Sequence, residues 1–155
     1  MQNTPSAQIS YRMRRTRGRD NDFEKAVRSS LFARGVRFRI HFPVPGMPRR
    51  TCDLALPSKQ IAVFLDGCFW HGCPDHLSTS KTNQPFWEKK IRRNRERDRE
   101  TSSHLSGIGW TVLRFWEHQD TDEIVESICD AVSVQSRNSI ARRTPSRILR
   151  PLDDL

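Results

Sequence analysis

Two thiols and two imidazoles fall within one short run of this chain, Asp66-Gly67-Cys68-Phe69-Trp70-His71-Gly72-Cys73-Pro74-Asp75-His76. Zinc takes four such ligands in a tetrahedron. Cys68, Cys73 and His76 are separated by four and two residues, close enough to wrap one ion, so a fourth ligand has to come from elsewhere. His118, just after an apolar segment, is the best placed, with Cys129 and Cys52 behind it. Cys129 lies on the apolar stripe of the last helical segment and Cys52 alternates with Asp53 on a strand, so both read more simply as small core side chains. The plain alternative for the loop is two free cysteines and surface histidines. His71 is left over in this count, and an imidazole that is not a ligand can exchange a proton near neutral pH. The adjacent Phe69 and Trp70 are suited either to wedging between stacked bases or to ordinary core packing.

A second chemistry is carried by carboxylates. Asp53 lies between Cys52 and Leu54, and Asp66 ends the apolar run Ile61 to Leu65. If those two segments pair as strands, the carboxylates come close enough to share a divalent cation. Charges projecting from apolar strands are costly without a partner, and a hard oxygen site for Mg²⁺ resolves that cost. Asn94 and Asp98 are four apart, share a helix face, and could hydrogen-bond water at such a site. The alternative for Asp98 is an ion pair with a nearby arginine such as Arg95.

These residues need elements to hold them. Asp20-Asn21-Asp22 supplies N-cap oxygens, and Phe23, Ala26, Val27 and Leu31 recur at helical spacing until Gly35, with Glu24 in the first turn. Val36, Phe38, Ile40 and Phe42 alternate with polar residues as in a half-buried strand, until Pro43, Pro45, Gly46 and Pro48 break it. Thr51 to Leu56 and Gln60 to Leu65 read as two strands joined by Pro57-Ser58-Lys59, the second apolar throughout and therefore central. Gln84 to Leu105 is a long charged helix closed by Gly107 and Gly109. Trp110 to Trp116 is a strand, and Asp120 to Val134 a last helix with one apolar stripe. The order is helix, three strands, helix, strand, helix: an α/β fold with a mixed β-sheet flanked by helices.

The 155 residues fit one domain with tails. Lys and Arg total 27 against 18 Asp and Glu, a net +9, and 35% of residues are hydrophobic. That balance points to a polyanionic partner and away from a membrane. Residues 1–19 form a basic arm in which Arg12, Arg14, Arg15, Arg17 and Arg19 alternate with residues that bury nothing; it reads as an arm along phosphates, or else as a solubilising tail. Residues 20–134 form the folded domain, and 135–155, without an apolar period, read as a disordered tail. With no secretory signal at Met1 to Ser10, the expected compartment is the reducing cytosol.

Four motifs in order carry a family resemblance: Gly67-Cys68-Phe69-Trp70-His71-Gly72-Cys73-Pro74, then Thr82-Asn83-Gln84-Pro85-Phe86-Trp87, then Asn94-Arg95-Glu96-Arg97-Asp98, then Gly109-Trp110-Thr111-Val112-Leu113 with Trp116-Glu117. From about Met13 to His118 the chain resembles the very-short-patch repair (Vsr) DNA mismatch endonucleases. The resemblance implies a restriction-endonuclease-like core, a structural zinc, and Mg²⁺-dependent nicking 5′ of the thymine in a T:G mismatch left by 5-methylcytosine deamination. It implies that Asp53 and the backbone carbonyl of Leu65 hold Mg²⁺, that His71 is the catalytic histidine, and that Glu24, Asp66, Asn94 and Asp98 organise water on the metal. It assigns Cys68, Cys73, His76 and His118 to zinc, and Met13, Phe69, Trp70 and Trp87 to intercalation beside the mismatch. The partners implied are double-stranded DNA bound by a monomer, a DNA cytosine methyltransferase whose sites generate the lesion, and mismatch-repair proteins, and the place implied is the nucleoid of a bacterial-type cell. Two features depart from the wider fold: Cys52 stands where proline usually precedes the first aspartate, and Cys68 where lysine usually follows the second acid. The rival expectations are a nicking nuclease of the same fold without mismatch preference, and a non-catalytic zinc-stabilised DNA-binding module.

Overall fold

A computed structural model of the chain describes residues 21–68, 73 and 84–143. Helix α1 (Asp22–Ala33) opens on Asn21, whose side-chain oxygen accepts the Glu24 N–H at 2.8 Å. That bond satisfies one of the free amides of the first turn. The helix is followed by Gly35 at φ 77. Strands β1 (Arg39–Val44), β2 (Met47–Leu56) and β3 (Ile61–Asp66) follow, then helix α2 (Gln84–Gly107), strand β4 (Thr111–Trp116) and helix α3 (Thr121–Arg143). Pro57–Lys59 forms a single 3-10 turn between β2 and β3. The element order is the one read from sequence.

The sheet runs β1-β2-β3-β4, antiparallel across the first two joints and parallel between β3 and β4. As its unbroken apolar run predicts, β3 lies inside the sheet and is buried along its whole length. One core lies between the sheet and helices α1 and α3, with Val27, Leu31, Leu54, Ile61, Val63, Ile124 and Ile128 in it. A smaller core under α2 holds Val44, Cys52, Ala55, Ala62, Phe64 and Leu105. Helices thus cover both faces, and α2 is the crossover that parallel strands require.

Two boundaries differ from expectation. The first strand is not broken by its prolines: Pro43 lies inside β1 and Pro48 inside β2. Proline is tolerated at sheet edges and bulges. Here β1 is an edge strand, and the register slips between Pro43 and Val44, whose partners are Thr51 and Met47. The break is only the two-residue turn Pro45-Gly46. The last helix does not stop at Val134; it runs to Arg143, so the first part of the expected tail, 135–143, is helical. Polar ties hold that part in place of an apolar stripe: Gln135 donates to Thr111 Oγ1 at 2.8 Å and Lys59 Nζ to Ser136 Oγ at 2.6 Å.

The Pro45-Gly46 turn is pinned to α2 by His104, whose Nε2 lies 2.6 Å from the Pro45 carbonyl oxygen. Gly46 has φ 82, and a Cβ there would meet the His104 ring at 2.8 Å. Gly46→Ala is therefore expected to cost about 1–3 kcal/mol, from left-handed backbone strain and displacement of the imidazole. Urea unfolding checks this, and an unchanged midpoint would contradict it.

Candidate nuclease cleft and metal centre

The N-terminus of α1, the middle of β2, the end of β3 and one face of α2 line a cleft of about 490 Å³. Asn21 and Glu24 enter it from α1, Asp53 from β2, and Leu65, Asp66 and Gly67 from β3. Lys90, Asn94, Arg97, Asp98 and Thr101 form one stripe of α2 along its wall. Of the residues expected to do chemistry, Glu24, Asp53, Leu65, Asp66, Asn94 and Asp98 are thus brought together, although they span three strands' worth of chain and two helices.

Asp53 is placed by a break in the sheet. The ladder between β2 and β3 covers Leu54 to Leu56 against Ile61 to Val63 and no further. Beyond it the Asp53 side chain accepts the Leu65 N–H, at 2.7 Å from Oδ2. Across β1 the paired residues Ile40–Leu54 and Phe42–Cys52 bracket His41 and Asp53, and His41 has φ 46. Cys52 packs into the core under α2 while Leu54 packs into the core under α1 and α3, so the two-residue alternation is interrupted at Asp53. Left-handed backbone at a non-glycine residue is a local cost that functional sites tolerate.

Burial pushes the Asp53 carboxyl up to about 6, and the nearby carboxylates of Glu24 and Asp66 push the same way. The Leu65 amide and His41 oppose them. Asp53, Glu24 and Asp66 therefore repel one another within the cleft, an arrangement that a divalent cation would relieve. They do not form an all-carboxylate cage. Among the described residues, the group of three His, Cys, Asp or Glu ligand atoms lying within 4.8 Å of one another is Cys68, Cys73 and His118. The Asp53 carboxylate, together with oxygens of other kinds, is what the cleft offers a hard divalent cation.

Asp66 is buried at the end of β3, and both its oxygens face Arg114 of β4, at 3.0 and 2.9 Å from Nη1. Asp98 Oδ1 lies 3.6 Å from the same nitrogen, so this aspartate has an arginine partner from across the cleft, whichever others it has on its own helix. Sequence reasoning missed Arg114. The signal was present: it is the one basic residue between positions 101 and 136 and lies inside an apolar strand. Arg50 was also missed; it ties β2 to α2 through Glu100 at 2.7 Å and Thr101 at 3.0 Å.

The second centre lies at the ends of β3 and β4. The parallel register pairs Asp66 with Trp116, and carried two residues further it sets Cys68 beside His118. The Glu117 N–H continues the ladder to the Asp66 carbonyl oxygen, and the Cys68 N–H donates to Glu117 Oε1. Cys73 closes the loop, its N–H donating to the Cys68 carbonyl oxygen at 2.9 Å. His118 Nδ1 is 3.1 Å from Cys68 Sγ and 3.6 Å from Cys73 Sγ. Tetrahedral zinc, with bonds of about 2.1 and 2.3 Å, sets nitrogen and sulfur ligands roughly 3.6 Å apart. Burial, with Cys73 adjacent, holds the Cys68 thiol up at about 11, a state that a bound cation would reverse. Cys52 is core, its thiol donating to the Phe42 carbonyl oxygen, and Cys129 is half-buried against the main core; neither joins the group.

Trp87 is half-buried near the start of α2, edge-on to Phe86 at 5.2 Å and under Lys90 Nζ at 5.6 Å. Met13, Phe69, Trp70, His71, His76 and the arginines at 12, 14, 15 and 17 lie outside the described residues. No helix among the described residues is long and apolar enough to cross a membrane.

Comparison with known proteins identifies the family. The family profile of the DNA mismatch endonuclease Vsr matches residues 2–76. The type II nicking enzyme V.NaeI of Lentzea aerocolonigenes is 42% identical over 112 residues, 70% of this chain and 67% of that protein. V.XorIIP of Xanthomonas oryzae, also a type II nicking enzyme, is 37% identical over 72% of this chain and 81% of its own. The DNA mismatch endonuclease Vsr of Escherichia coli is 37% identical over 70% and 68%. On these matches the chain belongs to the Vsr DNA mismatch endonuclease family and is a DNA endonuclease.

Proposed function

We propose that this endonuclease nicks one strand of duplex DNA on the 5′ side of the thymine in a T:G mismatch, on a restriction-endonuclease-like core, and so starts very-short-patch repair. The observation that carries the reading is the match to the Vsr mismatch endonucleases over the segment that contains Asp53 and the cysteine-rich loop. The substrate arises where 5-methylcytosine deaminates, which links the enzyme to a DNA cytosine methyltransferase and to mismatch-repair proteins, in the cytoplasm and on the nucleoid. A monomer suffices for one nick.

The cleft residues suit hydrolysis of a phosphodiester. Asp53, with the Leu65 carbonyl, would hold Mg²⁺, which lowers the pKa of water and offsets the charge that builds on the phosphate. Glu24, Asp66, Asn94 and Asp98 orient water within the cleft, and His71 takes the proton of the attacking water. Cys68, Cys73, His76 and His118 would hold a structural Zn²⁺ that stiffens the loop carrying His71. Phe69, Trp70 and Trp87, with Met13 from the arm, enter the base stack. That costs a few kcal/mol of unstacking, least at a mismatch, so weak pairing becomes part of recognition. Residues 1–19, with Arg12, Arg14, Arg15 and Arg17, run along phosphates, and with the basic face of α2 supply affinity that falls with salt.

A second reading is a nicking enzyme without mismatch preference, favoured by the description of two of the relatives as type II nicking enzymes. A 5′-labelled duplex with one T:G pair in a cytosine-methylation site, compared with its T:A control in Mg²⁺, separates the two. The mismatch reading expects a nick 5′ of the thymine in the first duplex alone. Equal cutting of both would establish the second reading.

A further inference from the structure

Arg114 lies in the middle of β4, and its three guanidinium nitrogens reach three different places. Nη1 spans the two oxygens of Asp66 at 3.0 and 2.9 Å, Nε donates to Ser102 Oγ at 2.9 Å, and Nη2 donates to the Asp98 carbonyl oxygen at 3.3 Å. The group lies 4.1 Å over the Phe64 ring. One rigid plane thus joins the end of β3, β4 and two successive turns of α2. Asp66 is only 6% exposed, so its charge there depends on a partner.

The geometry points to Arg114 as a positioning residue of the nuclease cleft: it fixes Asp66 and the Asp98 turn of α2 beside Asp53, and leaves Asp53 as the carboxylate that meets cation and scissile phosphate. This rests on the reading of the cleft as the nuclease site. Lysine could supply the charge but not the function, because a single ammonium cannot reach three diverging acceptors in one plane or lie flat on Phe64.

Arg114→Lys is expected to slow single-turnover nicking about ten- to a hundredfold, the usual effect of loosening a group that orients a catalytic ligand. DNA affinity and its dependence on salt should stay as in the wild type. An arginine that touched a phosphate would instead weaken binding and lower the salt slope by about one. That result, or an unchanged nicking rate, overturns the proposal. Asp66→Asn/Arg114→Gln removes both charges together and guards against a folding defect from an unpaired acid. A normal melt with a wild-type rate in that double variant overturns the proposal. If both variants lose their cooperative melt, Arg114 is a structural prop and the proposal fails. All rates are taken on T:G and matched duplexes. Equal cutting of the two by the wild type removes the mismatch reading and leaves the Arg114 comparison intact, whereas wild-type cutting that survives Asp53→Asn removes the nuclease-site reading itself.

Discussion

Asp53→Asn is expected to lower nicking by about three orders of magnitude or more, to leave DNA binding at least as tight, and to make the protein without added Mg²⁺ more stable at neutral pH. The first effect follows from the place of Asp53 in the cleft, where its carboxylate is the one proposed to hold the cation. The second follows from its sign: an acid facing a phosphate contributes nothing attractive by itself. The third follows from its environment. Burial, Glu24 and Asp66 raise this carboxyl from 3.8 to about 6. Between those values the folded state binds more protons than the unfolded one, so stability falls as pH rises through the window and remains reduced above it. Two units correspond to about 3 kcal/mol at most. Asparagine keeps an oxygen for the Leu65 N–H and carries no charge, so it relieves that cost. Urea midpoints of the two proteins should converge near pH 4 and separate towards pH 7, with the variant higher. At limiting Mg²⁺ wild-type nicking should decline as pH falls through about 6, and excess Mg²⁺ should move that decline to lower pH, because proton and cation compete for the same carboxylate. A loss of activity under tenfold would remove Asp53 from the catalytic role. A variant less stable than wild type at neutral pH would contradict the account of its burial.

Loss of the Cys₂His centre should have the largest effect on folding. The purified protein is expected to carry one Zn²⁺ per chain by elemental analysis, and Cys73→Ser or a strong chelator should lower the melting midpoint by about 10 °C or more. Cys73 is fully buried, and its Sγ lies 3.6 Å from His118 Nδ1, so serine there replaces a soft ligand by a poor one. The loop it closes leads directly from Asp66, so nicking should fall with stability, and added Zn²⁺ should restore both in the chelated wild type but not in Cys73→Ser. A metal-free preparation with an unchanged melt would mean that the three side chains are packed cysteines and a surface histidine.

Much of this was open to inspection in the sequence because it is local. The N-cap at Asn21, the turn at Pro57, the unbroken apolar run of β3 and the helical spacing of Ile124 and Ile128 each express the chemistry of a few neighbouring residues, and each formed as its pattern required. The Cys68 and Cys73 spacing was equally local, and Asp53 was conspicuous as an acid within an apolar strand. The prolines misled, because a proline ends a strand only where its missing N–H is needed, and β1 turned out to be an edge. The tail misled because Gln135 and Ser136 are held by polar contacts with Thr111 and Lys59, which leave no hydrophobic period to read.

The residue types of both centres, the order of elements and the basic charge were therefore determined by the sequence alone. The pairing of β3 with β4 across a helix of 24 residues was decided only by the tertiary structure. That register sets His118 beside Cys68 and brings Arg114 onto Asp66, and no local pattern encodes it. The interrupted pleat at His41 and Asp53 is likewise a property of two strands together. Parallel pairing is fixed by which faces can be buried at once between α2 on one side and α1 and α3 on the other, a constraint that exists only when the whole chain has packed.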